Sequence, residues 1–152
     1  MRILVADDHP DAADMMVELL RLAGYDAVAA YDGAQAVEAA RVFHPDLAIL
    51  DIDMRRMNGY EAARRLRQEQ RPGSRLVLIA HSGRTTSIEV QRALEAGFDR
   101  HLAKPLPGTE LCELIAAFLG DHLRKAGQPP KEMTNRPTSA AAEHASHKGQ
   151  NT

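Results

Sequence analysis

Short, wholly apolar runs alternate along the chain with longer stretches whose apolar residues recur at helical spacing. Ile3 to Ala6 predicts a first strand, broken by Asp7-Asp8-His9-Pro10. From Asp11 to Ala23, the residues Ala13, Met16, Val17, Leu20 and Ala23 share one face, which predicts a helix stopped by Gly24. Ala27 to Ala30 predicts a weaker second strand, Asp32-Gly33 a turn, and Gly33 to Phe43 a second helix burying Ala36, Val37 and Ala40; Pro45 then forces the chain out of helix. Leu47 to Leu50 predicts a third strand, and Gly59 to Gln70 an arginine-rich helix with Tyr60, Ala63 and Leu66 on its apolar stripe, ended by Pro72-Gly73. Leu76 to Ala80 predicts a fourth strand and His81 to Thr85 a polar loop, while Thr86-x-x-Glu89 has the form of a capping box opening a helix that stops at Gly97. His101 to Ala103 predicts a short fifth strand before Lys104-Pro105, and Thr109 to about Lys125 a last helix with Leu111, Leu114, Ile115, Phe118 and Leu119 on one face.

Five strands alternating with five helices through short connections predict an α/β fold, a doubly wound parallel sheet with helices on both faces. From about Gly127 the composition shifts to Pro, Ser, Thr, Ala, Gln and Asn without an apolar period, so the expected organisation is one domain over 1–126 and a disordered polar tail over 127–152. His144 and His147 lie in that tail without cysteine partners, which reads as solvated chain rather than a metal site.

Composition narrows the function. The 44% hydrophobic content can fill a core, and with only 4% aromatic residues that core must be aliphatic. A formal charge of -2 gives no overall basic field, so no direct nucleic-acid partner is expected. The single cysteine, Cys112, excludes an intrachain disulfide and fits a reducing compartment. No run approaches the roughly 20 apolar residues needed to cross a bilayer, and MRILVADD lacks a signal-peptide core, so the expected place is the cytoplasm, away from membranes.

The chemistry gathers where the strands end. Asp51 closes the third apolar run with Asp53 two residues on, and the first run also ends in acid at Asp7-Asp8. Ligands in open α/β sheets bind outside the carboxyl ends of strands, and there Asp7, Asp8, Asp51, Ser82 and Lys104 would meet. Three close carboxylates repel one another and call for a cation; an oxygen-only donor set points to magnesium. One carboxylate, Asp51, would then be the nucleophile toward a phosphoryl group, with Lys104 neutralising charge and Ser82 donating a hydrogen bond.

The motifs ILVADD, PDLAILDIDM, MNGYEAARRLR and AGFDRHLAKP together resemble the response-regulator receiver domain of two-component signalling, over residues 1 to about 122. The resemblance implies a flavodoxin-like sheet of order 2-1-3-4-5. It implies magnesium on Asp7, Asp8, Asp51 and the backbone carbonyl of Asp53, and phosphate passed to Asp51 from the phosphohistidine of a histidine kinase or histidine phosphotransfer protein. It also implies a phosphoryl contact from Lys104, a switch formed by Ser82 and His101, and output through a downstream protein target. His101 stands where the family commonly has Tyr or Phe, and is a pH-sensitive substitute.

Three positions depart from the family pattern. Arg55 replaces a usual proline, which predicts a looser, more cationic loop. His81 is polar where an apolar strand residue is usual. The switch hydroxyl falls on Ser82 when counted back from Lys104, whereas strand similarity puts Ala80 there; the spacing and the small Gly83 that follows favour Ser82. Two other functions fit parts of the pattern: a haloacid-dehalogenase-type phosphatase using Asp51 and Asp53, and a degenerate receiver acting only as an interaction module. The phosphatase family places its motif on its first strand and lacks the separate Asp7-Asp8 pair. Arg55, Arg56, Arg64, Arg65 and Arg67 read either as a docking patch for an acidic partner or as a solvated helix face.

Overall fold

The computed structural model describes residues 1–126, so the predicted tail and its histidines lie outside the described residues. The elements alternate as β1 (Arg2–Ala6), α1 (Pro10–Leu22), β2 (Asp26–Ala30), α2 (Gly33–Phe43), β3 (Leu47–Asp51), α3 (Gly59–Glu69), β4 (Val77–Ser82), α4 (Ser87–Ala96), β5 (Arg100–Ala103) and α5 (Gly108–Ala126). The strands are all parallel, in the order β2-β1-β3-β4-β5. The unit Met1–Leu114 holds the whole sheet and α1 to α4; from Ile115 the chain continues as the later part of α5. Among the described residues no helix is long and apolar enough to cross a membrane.

Alternation along the strands sorts the core into two faces. Leu4, Ala6, Ala48, Leu50, Leu78 and Ala80 point into one cluster with Ala36 and Val37 of α2, Ala63 and Leu66 of α3, and Ala93 and Ala96 of α4. The intervening Ile3, Val5, Leu47, Ile49 and Ile79 are as deeply buried. Against β1 and β2 lies α1, which buries Ala13, Val17 and Leu20. Every residue of β3 is buried, as a central strand covered on both faces requires.

The helix ends follow local chemistry. Pro10 opens α1, where its missing N–H costs nothing, so the helix begins one residue before the predicted Asp11. In α3 the Asn58 side chain accepts from Glu61 N–H at 2.9 Å and Glu61 accepts from Asn58 N–H at 3.3 Å, a complete capping box. Thr86 caps α4 by accepting from Glu89 N–H at 3.2 Å, but the Glu89 carboxylate accepts instead from the Tyr60 hydroxyl at 2.9 Å. The fourth strand runs two residues past the predicted Ala80. There His81 and Ser82 pair in register with Leu102 and Ala103 of β5, which satisfies their backbone and holds both side chains at 7% exposure or less.

Candidate functional site

The register aligns the ends of four strands. Leu50 pairs with Ala6 and with Ala80, so one step further Asp51 pairs with His81, and His81 with Leu102. Asp7 follows β1 directly, its N–H bonded to Ala30 O at 3.1 Å. Lys104 follows β5, its N–H bonded to Ser82 O at 2.9 Å. All five residues singled out at the strand ends are thus delivered to one edge.

The side chains of Asp7, Asp8, Asp51 and Lys104 converge. Ligand atoms of Asp7, Asp8, His9 and Asp51 all lie within 4.8 Å of one another. The Lys104 ammonium donates to Asp7 Oδ2 at 3.1 Å and stands 3.4 Å from Asp51 Oδ2. Asp51 Oδ1 accepts from Asp53 N–H at 3.3 Å, and Asp7 Oδ1 accepts from His9 N–H at 3.0 Å. Gly59 opens α3 against the carbonyl oxygen of Asp51, where any β-carbon would collide with backbone.

Burial and partners divide the two inner carboxylates. Burial pushes the Asp51 carboxyl up, to about 6, and the negative charge of Asp7 adds to this while Lys104 opposes it. Burial acts upward on Asp7 too, but the His9 N–H and Lys104 outweigh it and hold that carboxyl below its ordinary value. Burial alone would lower the Lys104 ammonium; its bonds to Asp7 and Asp51 raise it above the usual lysine value. The result is one firmly ionised carboxylate beside one that is reluctant to ionise, with a fixed ammonium between them.

Ser82 is 1% exposed and its Oγ accepts from Arg84 N–H at 3.0 Å. Ala80 lies two residues deeper, within the apolar cluster that faces α2 to α4. His101 is half-buried on β5, in register with Ala80. The Asp53 carboxylate points outward, 57% exposed, and pairs with Arg84 Nη2 at 3.2 Å. Arg55, at the position where proline is usual, donates to Asp8 O at 3.3 Å, and Arg56 Nε pairs with Asp32 at 3.0 Å. Sequence reasoning missed two neighbours of the site. His9 is signalled by its place directly after the acidic pair, whereas Arg84 reaches Asp53 across 31 positions with no local pattern to announce it.

The donor set suits a hard dication. Three carboxylates converge, and the one lysine among them leaves the inner pair unequally charged, which is the environment that a metal bound through oxygen relieves.

The family model for the response regulator receiver domain matches residues 3–116. The chain belongs to that family. It is 36% identical over 132 residues to the DNA-binding response regulator MtrA of Mycolicibacterium smegmatis, covering 87% of this chain and 54% of that protein. It is 35% identical to the MtrA of Mycobacterium tuberculosis over the same shares, so the chain spans about half the length of the curated relatives it matches. Among solved structures it superposes on a CheY-like receiver domain protein from Methanospirillum hungatei with a TM-score of 0.73 at 26% identity, over 82% of this chain and 97% of that one. It superposes on the receiver domain of a response regulator NarL from Mycobacterium tuberculosis with a TM-score of 0.71 at 30% identity, over 78% and 95%. As a receiver domain the chain is a signalling module of two-component systems, with the flavodoxin-like strand order. The phosphatase reading loses its footing, because Asp51 ends the third strand and stands beside a separate Asp7-Asp8 pair.

Proposed function

We propose that this receiver takes a phosphoryl group onto Asp51 from the phosphohistidine of a histidine kinase or histidine phosphotransfer protein, and signals by protein–protein contact. The observation that carries the reading is the buried Asp51 carboxylate at the end of β3, with the Lys104 ammonium 3.4 Å from its Oδ2. An oxygen of Asp51 bonds to phosphorus as the P–N bond to the donor imidazole breaks, and the electron pair leaves with the nitrogen. Lys104 neutralises charge on the phosphoryl oxygens, and the Ser82 hydroxyl, already accepting from Arg84 N–H, keeps its own proton to donate to them. Asp7, Asp8, Asp51 and the Asp53 backbone carbonyl would hold magnesium, which when bound supplies positive charge to the same oxygens. His101, on the strand that leads to Lys104, is the partner of Ser82 in the switch.

We place the receiver at residues 1–126, acting in the cytoplasm, with no nucleic-acid or membrane contact of its own. The DNA binding in its relatives' names is theirs, carried on chains about twice as long as the matched region. Mass spectrometry after treatment with phosphoramidate and magnesium tests the reading. One phosphoryl group should appear on Asp51, and none on Asp51→Asn or in the presence of a chelator. Equal labelling of Asp51→Asn would overturn it.

A further inference from the structure

His9 stands at the N-terminal cap of α1, yet its side chain makes no capping bond. It turns back over the acids that precede it: Nδ1 lies 3.3 Å from Asp7 Oδ1 and 3.5 Å from Asp8 Oδ1, and the His9 N–H donates to the same Asp7 oxygen at 3.0 Å. Lys104 approaches by the other oxygen, Oδ2 of Asp7, and by Oδ2 of Asp51, so it leaves Asp7 Oδ1 to His9. The imidazole is otherwise open to water, its side chain 80% exposed. With the ring proton solvated on Nε2, Nδ1 presents a lone pair to the carboxylates. The donor set expected from the sequence held oxygen alone; folding adds one nitrogen to it.

We propose that His9 Nδ1 is a ligand of the dication held by Asp7, Asp8 and Asp51, and that it shifts the preference of the site from magnesium toward zinc. The inference rests on the reading of the acidic pocket given above. Spacing supports it. Two donors each about 2.1 Å from one ion stand about 3 Å apart when adjacent and about 4 Å apart when opposite. The donor atoms of Asp7, Asp8, His9 and Asp51 fall within 4.8 Å of one another, so a small contraction completes the set. Chemistry supplies the preference: carboxylate, carbonyl and water suit magnesium, whereas an imidazole adds most to zinc, copper and nickel. An imidazole serving only as a cationic partner of the acids would act the other way. It would repel every dication alike, and its removal would tighten magnesium and zinc together.

The two metals therefore separate a ligand from a mere ion pair. With the whole chain, magnesium and zinc are titrated separately, free zinc being fixed by a metal buffer. Binding is read from the NMR shifts of the Asp51 and Asp53 amides, so that zinc on the chain's other histidines goes unread. For His9→Ala the half-saturating zinc concentration should rise about tenfold or more, while that of magnesium stays within about twofold of the wild type. His9→Asn, which sets an amide oxygen near the place of Nδ1, should keep magnesium and lose zinc as the alanine variant does. In the wild type, the imidazole nitrogen resonance that is missing from His9→Ala should move on zinc binding and far less on magnesium binding. Equal weakening of both metals, tightening of both, or unchanged zinc affinity in either variant would overturn the proposal. A wild type that binds neither metal at those amides would instead overturn the reading of the pocket, and this inference with it.

Discussion

Asp51 on β3 and His81 on β4 are register partners on one face of the sheet, a carboxyl held up to about 6 beside an imidazole held down to about 4. Burial dominates both shifts; for His81 the charge of Lys104 acts in the same direction. His81 Nε2 is buried without a hydrogen-bond partner, the one such side-chain atom found among the described residues. The neutral imidazole must take up a proton in the unfolded chain near its ordinary 6.5 but in the folded protein only near 4. The unfolded state binds more protons between those values, so stability is lost as the pH falls from about 6.5 to about 4, by on the order of 3 kcal/mol. His81→Leu should flatten that limb of the urea-denaturation profile and add roughly 1–2 kcal/mol at pH 7 by removing the unpartnered nitrogen. An unchanged acid limb in the variant would show that other groups cause it.

The raised Asp51 carboxyl has the opposite sign. Its folded value of about 6 lies above the ordinary 3.8, so the stability it contributes is present below pH 3.8 and lost as the pH rises through about 6. At pH 7.5 in chelator, Asp51→Asn should therefore unfold at higher denaturant than the wild type, by roughly 1–3 kcal/mol. The gap should close toward pH 4. A variant less stable than the wild type at pH 7.5 would contradict the direction of the shift.

Arg67 and Arg65 stand two residues apart on α3 and should respond very differently to truncation. Arg67 donates to Gly97 O at 2.9 Å, Leu76 O at 2.7 Å, Gln70 at 3.0 Å and Asp99 at 2.7 Å, tying α3 to the end of α4 and the start of β4. Arg65 has an exposed pair with Glu69 at 4.0 Å. Arg67→Ala should cost about 2–3 kcal/mol and several degrees of melting temperature, whereas Arg65→Ala should stay within about 0.5 kcal/mol of the wild type. Similar melting of the two variants by calorimetry would refute the clamp.

Gly59 should tolerate no side chain. Its N–H donates to Ile52 O at 2.8 Å, and an added β-carbon would meet the Asp51 carbonyl oxygen and lie 2.8 Å from Ile52 Cα, neither of which can yield without moving β3. Gly59→Ala should lower stability by about 1–3 kcal/mol and slow labelling of Asp51 as well, because the displaced peptide is the nucleophile's own. Full labelling speed in a destabilised variant would mean that the collision relaxes away from the site.

The alternation of apolar runs with amphipathic stretches made the fold legible, and the acids at the ends of two runs made the site legible, because both signals are local. What escaped depends on distant partners. His81 and Ser82 have loop-like chemistry, and pairing with β5, joined at His81 by pairing with Asp51 of β3, makes them strand. Thr86-x-x-Glu89 completes half of its box because Tyr60, 29 positions away, takes the carboxylate. The complete box sits at Asn58 and Glu61, a stretch whose Asn-Gly reads first as a boundary. The arginines of the α3 region divide: Arg64 and Arg65 lie on an exposed helix face, whereas Arg67 folds inward onto carbonyls, and Arg55 and Arg56 turn to acids on other loops.

The loop that follows Asp51 is tied down by charge where a proline would have tied it by a ring. Arg55 binds the Asp8 carbonyl and stands 3.8 Å from its carboxylate; Arg56, with a left-handed φ of 67°, pairs with Asp32. Both guanidinium groups are well exposed, at 74% and 64%. A ring constrains the backbone equally in any solution, but exposed pairs are screened once the Debye length shrinks toward their own separation, about 3 Å at 1 M salt. The part of that bracing which the two arginines supply thus varies with ionic strength, and it is greater in dilute buffer than in brine.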